Sequence, residues 1–309
     1  MTYLFKPQAS TPPHFWNWVS LSGKDAPDFL HRITTVNVKN LRPGQGSPGC
    51  ILSAQGKIRA YFTLWRTAQD SFFFELDGGN EGKWKQDLLT VIDEFTFGEK
   101  ISVTDVSSEK ESIWLFMSPS EEGFSTRFDS ESEVQICNHG SVDYGQTWMT
   151  AWGPPSALSS WLQKNYPDSQ PVDFQQLEAW RIMSLRPRVD IEISHSSVPL
   201  ELGLADTIAG NKGCYPGQEV IEKIIALGSP ARRLARIEGE GSGPEAGEKI
   251  MNLAEPPAEV GQITSKATLS GKFMALGLIR KIHAKEDLLV RFSGSENSQG
   301  AIVKIASYT

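Results

Sequence analysis

The chain has 309 residues, 39% of them hydrophobic, and a formal net charge of −7. That length exceeds the usual single domain, so two or three domains are expected. The acidic balance (pI about 5.4) argues against broad, stable binding to nucleic acid. Three cysteines, Cys50, Cys137 and Cys214, with no C-x-x-C pair, argue against a disulfide framework and for a reducing compartment. The opening "MTYLFKPQASTPPHFW" has no apolar signal core, and no run reaches the ~18 apolar residues that cross a bilayer. The composition therefore reads as a cytoplasmic protein with no membrane partner.

In chain order, "FWNWVSLSGKDAPDFLHRITTVNV" begins as a strand with alternating apolar residues after Trp16. "SGKDA" then supplies a turn and a helix start. Ala26, Phe29, Leu30 and Ile33 recur at helical spacing, which gives that helix one apolar face. "CILSAQGKIRAYFTLWRTAQDSFFFEL" predicts hairpin-linked strands turning at "AQGK" and "TAQD". "NEGKWKQDLLTVIDEF" predicts a helix with Trp84, Leu88 and either Val91 or Ile92 on one side. "KISVTDV" and "SIWLFM" predict strands. The Ser/Glu-rich stretch 118–145 is weakly patterned and predicts surface loops with a short strand at "VQIC". "QTWMTAW" predicts another strand, and "PPSALSSWLQKNY" and "VDFQQLEAWRIMSL" predict helices, the first with proline near its N-terminus.

Past Gly228 the pattern changes to short alternating runs: "RLARIEGEG", "EVGQITSKATL", "FMALGLIRKI", "DLLVRF" and "AIVKIA". Turn residues separate them, which predicts a small antiparallel barrel or sandwich. The expected division is an α+β part over 1–228, with two lobes dividing near 110–150, followed by an all-β part over 229–309.

The segment "NKGCYPGQEVIEKI" concentrates chemistry. Gly213 and Gly217 would allow a tight turn from which Cys214 projects. An ammonium at Lys212 would favour a thiolate if it lay near the sulfur. Gln218 and Glu219 offer an amide and a carboxylate. A buried, structural cysteine fits the same residues equally well. Metal-ligand spacing is absent: the histidines at 14, 31, 139, 195 and 283 form no H-x-x-x-H pair, and only Cys137 and His139 lie close in sequence. A Cys–His pair involving Cys214 is compatible with the spacing, which nominates no partner.

"KGCYPGQE" resembles the K-G-C-Y-x-G-Q-E signature of the YgfZ-type proteins, relatives of the glycine-cleavage T-protein (GcvT). Further blocks resemble that family in order: "LSGKDAPDFLHRITTVNVKNL", "SAQGKIRAYFTLWR", "PRVDI", "PLELGL" and "GSPARRLARIEG". The resemblance spans about residues 16–305. It implies an α+β folate-binding unit of two ferredoxin-like lobes, followed by a C-terminal antiparallel β-barrel. It implies an accessory protein of iron–sulfur cluster assembly or repair, whose partners are iron–sulfur enzymes or cluster-assembly proteins, including enzymes that modify tRNA. It also implies tetrahydrofolate as a small-molecule ligand, with Trp16, Arg181 and Glu201 as pocket residues. Cys214 would be the functional thiol, and Lys212, Gly213, Tyr215, Gly217, Gln218 and Glu219 its motif. Alternatives are a folate-dependent aminomethyl or methyl transferase, and a structural or RNA-interaction module with a buried cysteine.

Several positions depart from the T-protein pattern. Ala60 and Tyr61 stand where it carries an acidic pair. Met183 and Leu185 stand at the positions of its R-I/L-E-A-G stretch, whose glutamate accepts from the pterin edge, which a methionine does not do. Asn37, Gly203 and Lys223 replace the usual Asp, Asn and Arg. Arg232, Arg233 and Arg236, with Lys223, form a basic cluster in sequence; it is either a solvated face or a site for an anion.

Overall fold

A computed structural model describes residues 2–6, 16–77, 79, 82–118, 124–129, 131–142, 146–269, 271–294 and 299–307. His14 and Gly145 lie outside the described residues. Two compact units emerge. The first comprises Met1–Asp173 and Asp206–Gly217, the second Phe174–Ala205 and Gln218–Thr309. Phe174–Ala205 and Gln218–Gly228 thus group with the barrel rather than with the α+β part that precedes them.

The first unit holds two sheets. Tyr3–Phe5 (β1), which the sequence pattern did not reveal, joins the second sheet described below. Trp16–Ser22 (β2) leads into helix α1, Ala26–Ile33, whose buried residues are Ala26, Phe29, Leu30 and Ile33, the face expected from spacing. Gln45–Leu52 (β3), Ile58–Ala68 (β4) and Ser71–Asp77 (β5) form the hairpin-linked run. Helix α2, Lys83–Phe95, buries Trp84, Leu88, Val91 and Ile92 together. Both candidates for its third buried position are used, because adjacent residues flank one helical stripe. Ser102–Asp105 (β6) completes a five-stranded sheet in the order β3-β4-β5-β2-β6.

The second sheet is built from Glu111–Met117 (β7), Phe124–Asp129 (β8), Val134–Val142 (β9), Gln146–Gly153 (β10) and the two-residue strand Gln170–Pro171 (β11). Its order is β11-β1-β7-β10-β9-β8. Strand β8 corrects the expectation of loops over most of 118–145: it pairs with β9 from Phe124↔His139 to Asp129↔Val134. It lies at the sheet edge with Ser125, Arg127 and Phe128 exposed, so it shows little apolar alternation. Helix α3, Pro155–Asn165, packs Leu158 and Trp161 against Ile113, Leu115 and Ile136.

An aromatic cluster joins the two sheets. Trp18 and Trp65 from one, and Cys137 and Trp152 from the other, are all buried. Trp152 meets Trp18 at 5.8 Å and Trp65 at 5.6 Å between ring centroids. Glu75 is buried in β5, and its carboxylate accepts the indole N–H of Trp65 at 2.7 Å. Burial pushes this carboxyl up to about 7, against the lowering effect of that hydrogen bond.

In the second unit, helix α4, Phe174–Met183, buries Leu177 and every residue from Ala179 to Met183. Helix α5 runs Gln218–Ala226. Strands Arg232–Glu240 (β12), Lys249–Met251 (β13), Glu259–Leu269 (β14), Lys272–Arg280 (β15), Leu289–Phe292 (β16) and Gln299–Ile305 (β17) close into an antiparallel barrel, β12-β15-β14-β13-β16-β17. Five of these strands match the alternating runs. The three residues of β13 are too few to alternate visibly. The barrel core includes Ile237, Ile250, Phe273, Ile279 and Phe292. The α+β architecture and the C-terminal barrel are those the sequence implied.

Candidate functional site

The cysteine segment closes the first unit. Cys214 is exposed, whereas Cys50 and Cys137 are buried. Burial raises Cys50 to about 12, so it stays a protonated thiol. Cys137 has its Sγ 3.8 Å from Nδ1 of His139. Among the described residues no group of three or more His, Cys, Asp or Glu is placed to hold a metal ion.

The loop carrying Cys214 is pinned on both sides. On the N-terminal side, the Lys212 ammonium donates to the carbonyl oxygens of His31 (2.7 Å), Val36 (3.0 Å) and Thr34. These carbonyls sit at and just past the C-terminus of α1, where a helix leaves acceptors unpaired and a cation is favoured. An ammonium has three donors, and all three go to backbone here. Lys212 therefore has an anchoring role in holding the loop to α1. Burial lowers its pKa to about 8, and the ammonium also lies 5.1 Å from the centroid of the buried Tyr215 ring. A further tie is the Asn37 side-chain amide, which donates to the Asn211 carbonyl at 3.0 Å.

On the C-terminal side, Gly217 has φ +80° and rests on the β3–β4 hairpin. A Cβ there would run into the Ser53 carbonyl oxygen and the backbone of Gly56. Two blocks far apart in sequence, "AQGK" and "GCYPGQE", thus meet at this glycine. Gly213 is different. Its φ is not in the left-handed region, and the nearest atom to an added Cβ is Nε2 of His31 at 3.9 Å. The tight turn therefore depends on Gly217, not on both glycines. Gln218 opens α5, and Glu219 is exposed in its first turn, where a carboxylate suits the helix dipole.

His31 went unnoticed in the sequence as a neighbour of this loop, since a histidine in the last turn of a helix reads as a cap. Its pKa is lowered by burial, then by the Lys212 and Lys39 charges, against Asp28.

The carried-over pocket residues fare unevenly. Trp16 packs edge-on against Trp114 with centroids 5.7 Å apart, and its indole N–H is buried without a partner. Arg181 is buried and uses all five of its N–H donors within its own unit. They reach both carboxylate oxygens of Glu178, Glu192, the Arg186 carbonyl and the Ser265 hydroxyl. No donor is left for an anionic ligand tail, which corrects the expectation for this residue. The buried Glu201 carboxylate is taken by Arg232 at 2.9 Å. Met183, at the end of α4, offers a backbone carbonyl, and Arg236 occupies it. Leu185 follows with φ +53° as the helix turns out. Arg233 donates to the Ala306 carbonyl at 2.7 Å. Each of the three arginines of the basic cluster thus reaches an internal acceptor, and Lys223 is exposed. Trp16 belongs to one compact unit, and Arg181 and Glu201 to the other. Apart from the Trp16 N–H, the residues present do not fit the donor-rich edge and anionic tail of a folate.

No family model matches the chain. It is 22% identical over 232 residues to a Photobacterium profundum protein named tRNA-modifying protein YgfZ, covering 73% of this chain and 68% of that one. It is 23% identical over 308 residues to a Serratia proteamaculans protein of the same name, covering 93% and 88%. An Arabidopsis thaliana protein, named as a chloroplastic candidate transferase, is 22% identical over 280 residues, 85% of this chain but only 63% of that protein's length. Among solved structures, the glycine cleavage system aminomethyltransferase T from Bartonella henselae superposes with a TM-score of 0.76, covering 98% of this chain and 85% of that one. At 16% identity that likeness is one of fold.

Proposed function

We propose that this chain, a YgfZ-type protein built on the GcvT-like fold, is an accessory protein of iron–sulfur cluster assembly or repair that supports cluster enzymes such as those that modify tRNA. The observation that supports this most is the exposure of Cys214 on a loop held by Lys212 and Gly217, while the two other thiols are buried. A thiolate is a soft ligand suited to the iron of a cluster in transit, and a cysteine thiol gives up its proton to solvent as it becomes that ligand. Lys212 and Gly217 hold the loop that presents the sulfur, and Glu219 places a carboxylate beside it in sequence. The partners are iron–sulfur enzymes or cluster-assembly proteins, and a cytoplasmic location goes with the proposal. No described helix is long and apolar enough to cross a membrane.

Tetrahydrofolate is not part of the proposed chemistry, because Arg181 and Glu201 are committed to internal partners and Met183 supplies no side-chain carboxylate. An aminomethyl or methyl transferase draws on the same fold and on the name of the Arabidopsis relative. Against it, Ala60 is fully buried and Tyr61 follows where an acidic pair would be needed. The module with a buried cysteine is set aside by the exposure of Cys214.

The test is complementation. In a strain lacking the native gene, the wild-type chain should restore the activities of cluster-dependent enzymes, and Cys214→Ala, expressed to the same level, should restore well under half. Full rescue by Cys214→Ala would defeat the thiol role.

A further inference from the structure

A second feature of the first unit lies beside the cysteine loop and is not used by the proposed function. A cavity of about 290 Å3 is walled by Val36, Leu41 and Pro48, with polar side chains from Asn37, Ser47 and Asp206. Its size is at the lower end for a small-molecule site, and apolar walls with a few polar groups are the usual composition of one. Short hydrogen bonds fix the frame. The Thr35 hydroxyl donates to the Thr207 carbonyl at 2.5 Å, and the Ala209 amide donates to the Thr35 carbonyl at 3.1 Å. Thr35 N–H in turn reaches the Cys50 carbonyl at 2.9 Å. The walls are therefore set by backbone ties, not by exposed side chains alone.

The polar lining includes an unpaired acceptor and a carboxylate, and Asn40 adds an exposed amide. The Asn37 amide nitrogen is spent on Asn211, which leaves its Oδ1, buried and without a hydrogen-bond partner. The Ser47 hydroxyl donates to the Pro48 carbonyl at 3.2 Å. Asp206 adds a carboxylate. Asn37 and Asp206 offer an acceptor and negative charge, and a buried acceptor left unpaired is destabilising. A ligand N–H would remove that cost.

We propose that this cavity binds a small cationic ligand rich in N–H donors, an amine or amidine on a short apolar body, with the donors directed to Asn37 and Asp206 and the body against Val36, Leu41 and Pro48. The proposal does not depend on what Cys214 does. The site is tied to it all the same, because the side chain that would meet the ligand also holds Asn211, three residues before the thiol.

Benzamidine and benzoate, planar molecules of the same shape and opposite charge, make the test. Calorimetric titration of the full chain should show benzamidine binding and no benzoate binding. Asn37→Ala and Asp206→Asn should each weaken benzamidine on the order of tenfold. Asp206 is exposed, so its substitution keeps the test usable if Asn37→Ala fails to fold, which a thermal melt reports. Equal binding of the two probes, no binding of benzamidine, or unchanged affinity in a folded Asp206→Asn would each overturn the site.

Discussion

At the scale of single residues, the structure separates side chains that hold the loop from the one that is presented by it. Lys212 is the clearest holder. Its three donors reach the carbonyls of His31, Thr34 and Val36, the last of which also accepts the Val38 N–H. Replacing it with methionine keeps much of the stem but strands the carbonyls of His31 and Thr34. Lys212→Met is expected to cost about 2–3 kcal/mol, measured by urea unfolding. A loss below about 0.5 kcal/mol would show that water replaces the ammonium freely. Arg181 shows the opposite limit of sequence reading. An arginine on a helix reads as a surface or ligand-binding group, yet here it is buried and fully paired. Nothing local announces this, because Glu192 and Ser265 come from other segments.

At the scale of elements, the two motif glycines should respond differently. Gly217→Ala forces a side chain into the left-handed region and against the β3–β4 hairpin. It is expected to destabilise by more than about 1 kcal/mol. Gly213→Ala has room and an ordinary backbone, and should stay within about 0.5 kcal/mol of wild type. Thermal melts of the two variants side by side decide this, and equal shifts would refute the distinction. The same contrast shows what the sequence could reveal. Helices with a clean apolar stripe, α1 and α2, and strands with alternation, β4 and β14, were legible because each buries one face against a fixed partner. Strands β1, β8 and β13 were not, being short or at an edge where side chains meet solvent. Within the candidate site, the motif's chemistry was legible in "KGCYPGQE". The acceptors of Lys212 and the neighbour of Gly217 were not, since both depend on contacts between residues more than 150 positions apart.

At the scale of the whole molecule, one buried carboxyl should shape stability against pH. Glu75 sits in the aromatic cluster with a pKa of about 7, against 4.5 for an ordinary glutamate. The native state then holds more protons than the unfolded state between these values, so stability falls as pH rises through that window. The full effect, on the order of 3 kcal/mol, is felt above pH 7. Carboxyls with lowered values, such as Glu99 at about 2, act in the opposite sense and only at lower pH. Denaturant unfolding at pH values of about 5 and 8 should show wild type weaker at the higher one, and Glu75→Gln should flatten the difference. An unchanged slope in the variant would assign the effect elsewhere.

The division of the chain into its two compact units bears on synthesis. The first unit takes residues up to Asp173, skips to Asp206–Gly217, and ends with the cysteine segment. On the ribosome, the sheets of that unit can form early, while the segment that supplies Lys212 to α1 emerges only after Phe174–Ala205. Until then the α1 carbonyls are served by water, and the nascent chain carries the stretch from Phe174 to Ala205 with its barrel not yet made. The exposed cysteine is therefore among the last parts of its own unit to reach its place, so an unfinished chain does not present the thiol on its finished loop.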